Sequence, residues 1–170
     1  MKLQNNEYSP FFKTYISKAL KVEMGIVKTL EHSFNQVYKA FSNISDEKQL
    51  YAYEKGKWTV KELLSHIIDT ERIMAYRALR ISRNDTANLL PFNENEFVAN
   101  SNANEIPYKD LLKEYDLVRK SIIVMFTNFN AELLLRVGTA SSLNLSVRAV
   151  GFIISGHSLH HLEILKERYL

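Results

Sequence analysis

Thr59-Val60-Lys61-Glu62-Leu63-Leu64-Ser65-His66-Ile67-Ile68-Asp69 is the stretch on which the fold of this chain turns. Thr59 and Glu62 form T-x-x-E, a capping box in which hydroxyl and carboxylate each take a backbone N–H left over at a helix start. Leu63, Leu64, Ile67, Met74, Ala78 and Ile81 then share one face at helical spacing, so an amphipathic helix runs to about Arg83-Asn84-Asp85. His66 falls near that apolar stripe, between Leu63 and Thr70.

Upstream, Ser9-Pro10 reads as an N-cap with proline at the first helical position. Phe12, Ile16, Ala19, Met24 or Ile26, Leu30, Phe34, Val37 and Phe41 recur at helical spacing, and Gly25 divides them into a short helix and a longer one. Asn43 to Lys57 is a polar connection carrying Tyr51 and Tyr53. Downstream, Asn84 to Pro107 holds seven asparagines and two prolines and reads as a long loop, a feature usually functional or mobile. A third helix is predicted from about Tyr108 to Asn128, with an extra segment from Asn130 to Val137. Gly138 to Leu145 reads as loop, and Ser146 caps a last helix continuing to Leu170. Three prolines and five glycines favour long helices over a turn-rich β fold. The expectation is an all-α, four-helix bundle, one domain over residues 1–170, with its long connection between helices 2 and 3. There is no GxGxxG and no GxxxxGK[ST], which removes those routes to nucleotide binding.

The 170 residues are 46% hydrophobic and 24% charged, enough for a core without covalent staples. None is cysteine, which excludes disulfides, thiolate zinc sites, iron–sulfur clusters, CxxCH haem attachment and a cysteine nucleophile. Any metal must therefore be held by carboxylates and the five histidines. The net charge of +3 is dispersed, so nucleic acid is not an expected partner. No apolar run is long enough for a membrane span, and Met1 to Glu7 lacks the apolar core of a secretory signal, so a cytoplasmic protein is expected.

Gly156-His157-Ser158-Leu159-His160-His161-Leu162 crowds three histidines together. His157 and His161 lie one turn apart on the face that carries Val150, Ile154 and Ile164, with His160 toward a flank and His32 pointing into solvent. A single core histidine is ordinarily satisfied by a hydrogen bond. Three together cost roughly 1–3 kcal/mol each if unpartnered, whereas one divalent cation would satisfy them all. Both readings stand on spacing alone. Ser158 follows His157, so the motif is not HExxH, and no histidine has Glu three residues before it as in di-iron bundles. Three histidines leave a coordination position open, the catalytic rather than the closed structural pattern.

Gly56-Lys57-Trp58-Thr59-Val60-Lys61-Glu62 leading to His66-Ile67-Ile68-Asp69, paired with the Gly156–Leu162 motif, resembles the DinB/YfiT-like superfamily of metal-binding four-helix bundles. The resemblance spans essentially the whole length, and the pairing of W-[ST]-x-x-E-x-x-x-H with H-x-x-x-H is more specific than either half. It implies one divalent ion, zinc or nickel, on His66, His157 and His161. It further implies a metal-dependent enzyme that activates either a low-molecular-weight thiol, as an S-transferase, or water, as a hydrolase, on a small-molecule substrate. The same likeness also implies a homodimer. The competing class is a non-catalytic metal-binding or stress-related interaction protein, because no general base accompanies the histidines.

Arg77 lies on the His66 side of its helix, where it could bind a substrate carboxylate or close a salt bridge at the bundle edge. Asp69, one turn from His66, is a candidate acceptor for its ring or a solvated surface group. His160 is expected at the rim rather than as a ligand, and Arg168 likewise. Glu62 is explained by its cap, and Glu23 would face the cavity unless Gly25 offsets the helix. Tyr51, Tyr53 and Trp58 are expected to fasten the loop over the bundle, and the Asn84–Pro107 connection to wall a pocket.

Overall fold

A computed structural model describes residues 3, 4 and 6–170; Met1, Lys2 and Asn5, within the stretch read for a secretory signal, lie outside the described residues. Among the described residues seven α-helices follow in order: α1 (Lys13–Leu20), α2 (Ile26–Ser42), α3 (Val60–Ser82), α4 (Glu94–Ala99), α5 (Tyr108–Thr127), α6 (Ala131–Leu135) and α7 (Val147–Ile164). One antiparallel hairpin, β1 (Val137–Ala140) with β2 (Leu143–Ser146), precedes α7. Thr59 starts α3 as its spacing predicts: its Oγ1 accepts from Glu62 N at 3.1 Å, and Glu62 Oε2 accepts from Thr59 N at 2.7 Å. Ser9 caps a single 3-10 turn ahead of α1, and Ser146 Oγ accepts from Ala149 N to start α7.

α2 and α3 each pack on both α5 and α7, which closes the four-helix bundle, and α1 lies across α7. The core has two apolar halves. Ile26, Leu30, Met74, Ile122, Phe126 and Ile153 belong to one; Val37, Phe41, Leu64, Ile67, Leu111, Tyr115 and Leu162 belong to the other. Every bundle helix changes half at a polar residue: Ser33 on α2, Glu71 on α3, Arg119 on α5 and Ser158 on α7. These residues form one layer. The Arg119 Nε donates to Glu71 at 2.9 Å, and Nη1 to the Leu30 carbonyl (2.9 Å) and Ser33 Oγ (2.7 Å). Nη2 donates to Glu71 and to Ser158 Oγ (3.0 Å), so all five guanidinium protons are used. Nothing in the sequence pattern singles out Arg119 or Glu71.

Two stretches read as loop are structured. Gly138 to Leu145 lies within the hairpin, whose tip residues Ser141 and Ser142 adopt φ of 54° and 60°. A two-residue turn of that hand is usually signalled by Asn-Gly; serine carries no such signal. The Asn84–Pro107 connection contains α4, six residues capped by Asn93, and is pinned to the hairpin by Leu89 N to Thr139 O (3.0 Å) and Ser141 N to Leu89 O (2.7 Å). No helix among the described residues is long and apolar enough to cross a membrane.

Candidate metal centre

His66 projects from α3, and His157 and His161 from successive turns of α7. Their three Nε2 atoms meet: His66 to His157 is 3.1 Å, His66 to His161 3.2 Å, and His157 to His161 3.1 Å. Each residue is under a tenth exposed. Two features set this convergence. At Gly156 an added Cβ would lie 1.8 Å from the Tyr15 carbonyl oxygen, so only glycine lets α1 settle here and lay the Tyr15 ring edge-on to His157, centroids 5.3 Å apart. Trp58, at the entrance to α3, covers the other side with its ring 4.7 Å from that of His66.

Burial pushes the His66 ring down to about 4, with the charge of Glu94 opposing the shift. Burial also holds His157 and His161 well below the ordinary imidazole range, and the neighbouring histidines deepen the effect. Three neutral rings then present their Nε2 atoms to one another. A neutral nitrogen offers one proton or one lone pair, so a single shared proton can satisfy only one of the three contacts well. A cation accepts all three lone pairs. Ring nitrogens about 2.0–2.1 Å from a tetrahedral ion stand about 3.3 Å apart, close to the spacing found here. No fourth histidine, aspartate or glutamate joins the cluster among the described residues.

The trio opens on a cavity of about 390 Å³ whose wall includes Phe11, Phe12, Tyr15, Trp58, Thr70, Met74, Arg77, Phe92, Glu94 and Ser141. Arg77, weighed for a salt bridge, has none among the described residues: Nη2 donates to the Leu90 carbonyl at 2.9 Å and to Ser141 Oγ at 3.2 Å. Asp69 is half-buried and makes no hydrogen bond to the histidines; burial pushes its carboxyl up. His160 stays outside the cluster, half-buried against Tyr15 and the His161 ring. Glu23 is exposed at φ 56° in the turn between α1 and α2, away from the cavity, and Arg168 is exposed. Tyr51 and Tyr53 pack on Tyr169, whose hydroxyl donates to the Trp58 carbonyl at 2.7 Å, so the loop is fastened as expected. Trp58 has a second role as cavity wall.

The Asn84–Pro107 connection walls the cavity as expected, through Pro91, Phe92 and Glu94, whereas Phe11, Phe12, Tyr15, Thr70 and Ser141 were not read from the sequence as lining residues. Thr70 was legible, since it sits four residues after His66 on the same face. Phe11 and Phe12 come from the 3-10 turn ahead of α1, Tyr15 from α1 and Ser141 from the hairpin, and no local spacing relates them to α3 or α7.

A family model described as the DinB superfamily matches residues 29–165. A protein of Oceanobacillus iheyensis is 22% identical over 142 residues, which cover 82% of this chain and 81% of the relative; its name provisionally describes it as a metal-dependent hydrolase. Among solved structures, YfiT from Bacillus subtilis, described as a probable metal-dependent hydrolase with an unusual four-helix bundle topology, aligns with a TM-score of 0.74. That alignment covers 98% of this chain and 90% of YfiT at 15% identity, a likeness of fold.

Proposed function

Because this chain belongs to the DinB superfamily, we propose that it is a metal-dependent enzyme whose single divalent ion, zinc or nickel, is held by Nε2 of His66, His157 and His161. The observation that carries this reading is the convergence of three buried imidazoles beside an open cavity, with no fourth side chain among the described residues to close the set. An ion there supplies Lewis acidity, which lowers the pKa of a nucleophile and polarises an acyl oxygen.

The chain's own residues do the rest. Burial keeps the histidines neutral, the state in which their lone pairs are available. Trp58 and Tyr15 flank the rings and keep bulk water from their sides. Ser158, between the two histidines on α7, accepts from Arg119 Nη2 at 3.0 Å and so joins α7 to the buried polar layer. Among the described residues Glu94 is the one carboxylate in the cavity wall, and it would be the group to accept a proton from the nucleophile.

The hydrolase reading, with water as nucleophile, agrees with the names of both relatives. A small thiol is the second reading. It is favoured by the aromatic wall, which suits a weakly hydrated sulfur, and a chain without cysteine would have to receive that sulfur on a cosubstrate. Untagged protein grown with zinc and nickel should carry about one transition-metal ion per chain, lost in His66→Ala and His157→Ala. Protein that retains no metal under those conditions refutes the reading. On metal-loaded protein, activated esters with and without added thiols separate the two nucleophiles.

A further inference from the structure

The cavity-facing stripe of α3 runs His66, Thr70, Met74, Arg77, and its two ends are chemically unlike. His66 and Arg77 are three turns apart, about 16 Å of helix rise, on one face. Arg77 is only 5% exposed. Among the described residues no carboxylate pairs with it, and its Nε has no protein partner. Compare Arg119, fully buried, whose five protons all find acceptors and whose charge meets Glu71. A desolvated guanidinium with no counter-ion is costly for a bundle to keep. Lining a cavity, the same group is a ready fork for an anion. Thr70 Oγ1 adds a second unmet polar group: it is buried, has no partner among the described residues, and lies on the stripe between His66 and Arg77.

The rest of the wall limits the ligand. Phe11, Phe12, Leu143 and Ile153 make it mostly apolar, and among the described residues Arg77 is its one permanent cation. One guanidinium matches the single charge of a carboxylate. A phosphate dianion would call for further cations, and Glu94 would oppose it.

We propose that the cavity takes an apolar compound bearing a carboxylate, with the carboxylate forked on Arg77 and the opposite end of the molecule lying at the three histidines. Which end reacts rests on the function proposed above; where the carboxylate binds does not.

Trp58 is the chain's only tryptophan and lies in the same wall, so its fluorescence reads occupancy. The probes are 4-phenylbutyrate and its neutral amide, titrated into metal-loaded and chelator-treated protein. The acid should bind at least about tenfold more tightly than the amide in both preparations. Arg77→Met should abolish that preference, and Arg77→Lys should restore part of it, with circular dichroism melts confirming that each variant is folded. Equal affinities for acid and amide in the natural protein overturn the proposal, as does no response to the acid at about 10 mM. A preference that survives Arg77→Met but disappears on chelation overturns it too, because the carboxylate would then sit on the metal. Tighter binding of phenyl phosphate than of phenylbutyrate overturns the choice of anion. Loss of the metal reading would show in metal content alone and would leave the acid-to-amide ratio of the chelated protein intact.

Discussion

Three imidazoles held neutral by burial make the metal-free protein sensitive to acid in a defined sense. Unfolded histidine titrates near 6.5, whereas folded His66 titrates at about 4. Between those values the unfolded chain binds more protons than the folded one, so stability falls as pH falls. The contribution is intact above about 6.5, erodes through the window and levels off below about 4. At about 1.4 kcal/mol per pH unit, His66 alone accounts for on the order of 3 kcal/mol. His157 and His161 act in the same direction. Burial raises the carboxyls of Glu71 and Asp69, which works in the opposite sense, so the profile of a His66→Leu variant must be subtracted. Urea unfolding of chelated protein between pH 7.5 and 4.5 measures the difference, and an absence of slope would show rings that are not desolvated. The His157–His161 pair was legible at this scale because i, i+4 spacing on an apolar face is a property of one helix, and His66 because it falls near the apolar stripe of its own. Nothing local marks Glu94 or Tyr15, whose place in the site depends on how separate elements dock.

Docking of α1 on α7 depends on a hydrogen atom at Gly156. An alanine Cβ would stand 1.8 Å from the Tyr15 carbonyl oxygen, a backbone atom that cannot swing aside. Intrinsic propensity favours alanine over glycine in a helix by about 1 kcal/mol, whereas overpacking costs about 1–3 kcal/mol and here must move a whole helix. The clash should win. Gly156→Ala is expected to be destabilised by about 2 kcal/mol, read as a lower urea midpoint at unchanged m-value, and to bind metal more weakly as the Tyr15 ring leaves His157. A variant stabilised by about 1 kcal/mol would mean that α1 does not sit where described. Elements differed in legibility for a related reason. The start of α3 could be read from Thr59 and Glu62 because a capping box satisfies its own backbone. The hairpin could not, because Ser141 and Ser142 reach positive φ only with the support of neighbours such as Asn88, which accepts from Ser142 N at 2.9 Å and donates to its Oγ at 3.2 Å.

Across the whole molecule two polar devices join helices that are far apart in sequence. The Arg119 layer links all four bundle helices, and the histidine trio links α3 to α7 alone. The first is complete without any ligand; the second, on the reading proposed here, needs one. A metal that binds only the folded trio stabilises the bundle by RT ln(1 + [L]/Kd), about 2.7 kcal/mol at a hundredfold excess over Kd. For a chain of this size that amounts to about 5–10 °C in the melting midpoint. Chelation at pH 7.5 should therefore lower the midpoint by that amount, and zinc or nickel should restore it. His157→Ala should melt at one temperature with or without the ion. Arg119→Met, at a cost of about 3–5 kcal/mol for leaving Glu71 buried and unpaired, should lower both midpoints together. The metal-dependent increment should survive in Arg119→Met where the fold survives, because the histidines take no hydrogen bond from the guanidinium. An increment lost with Arg119 would instead mean that its bond to Ser158, between His157 and His161, sets the ring positions. The clasp would then belong to the metal centre as much as to the core.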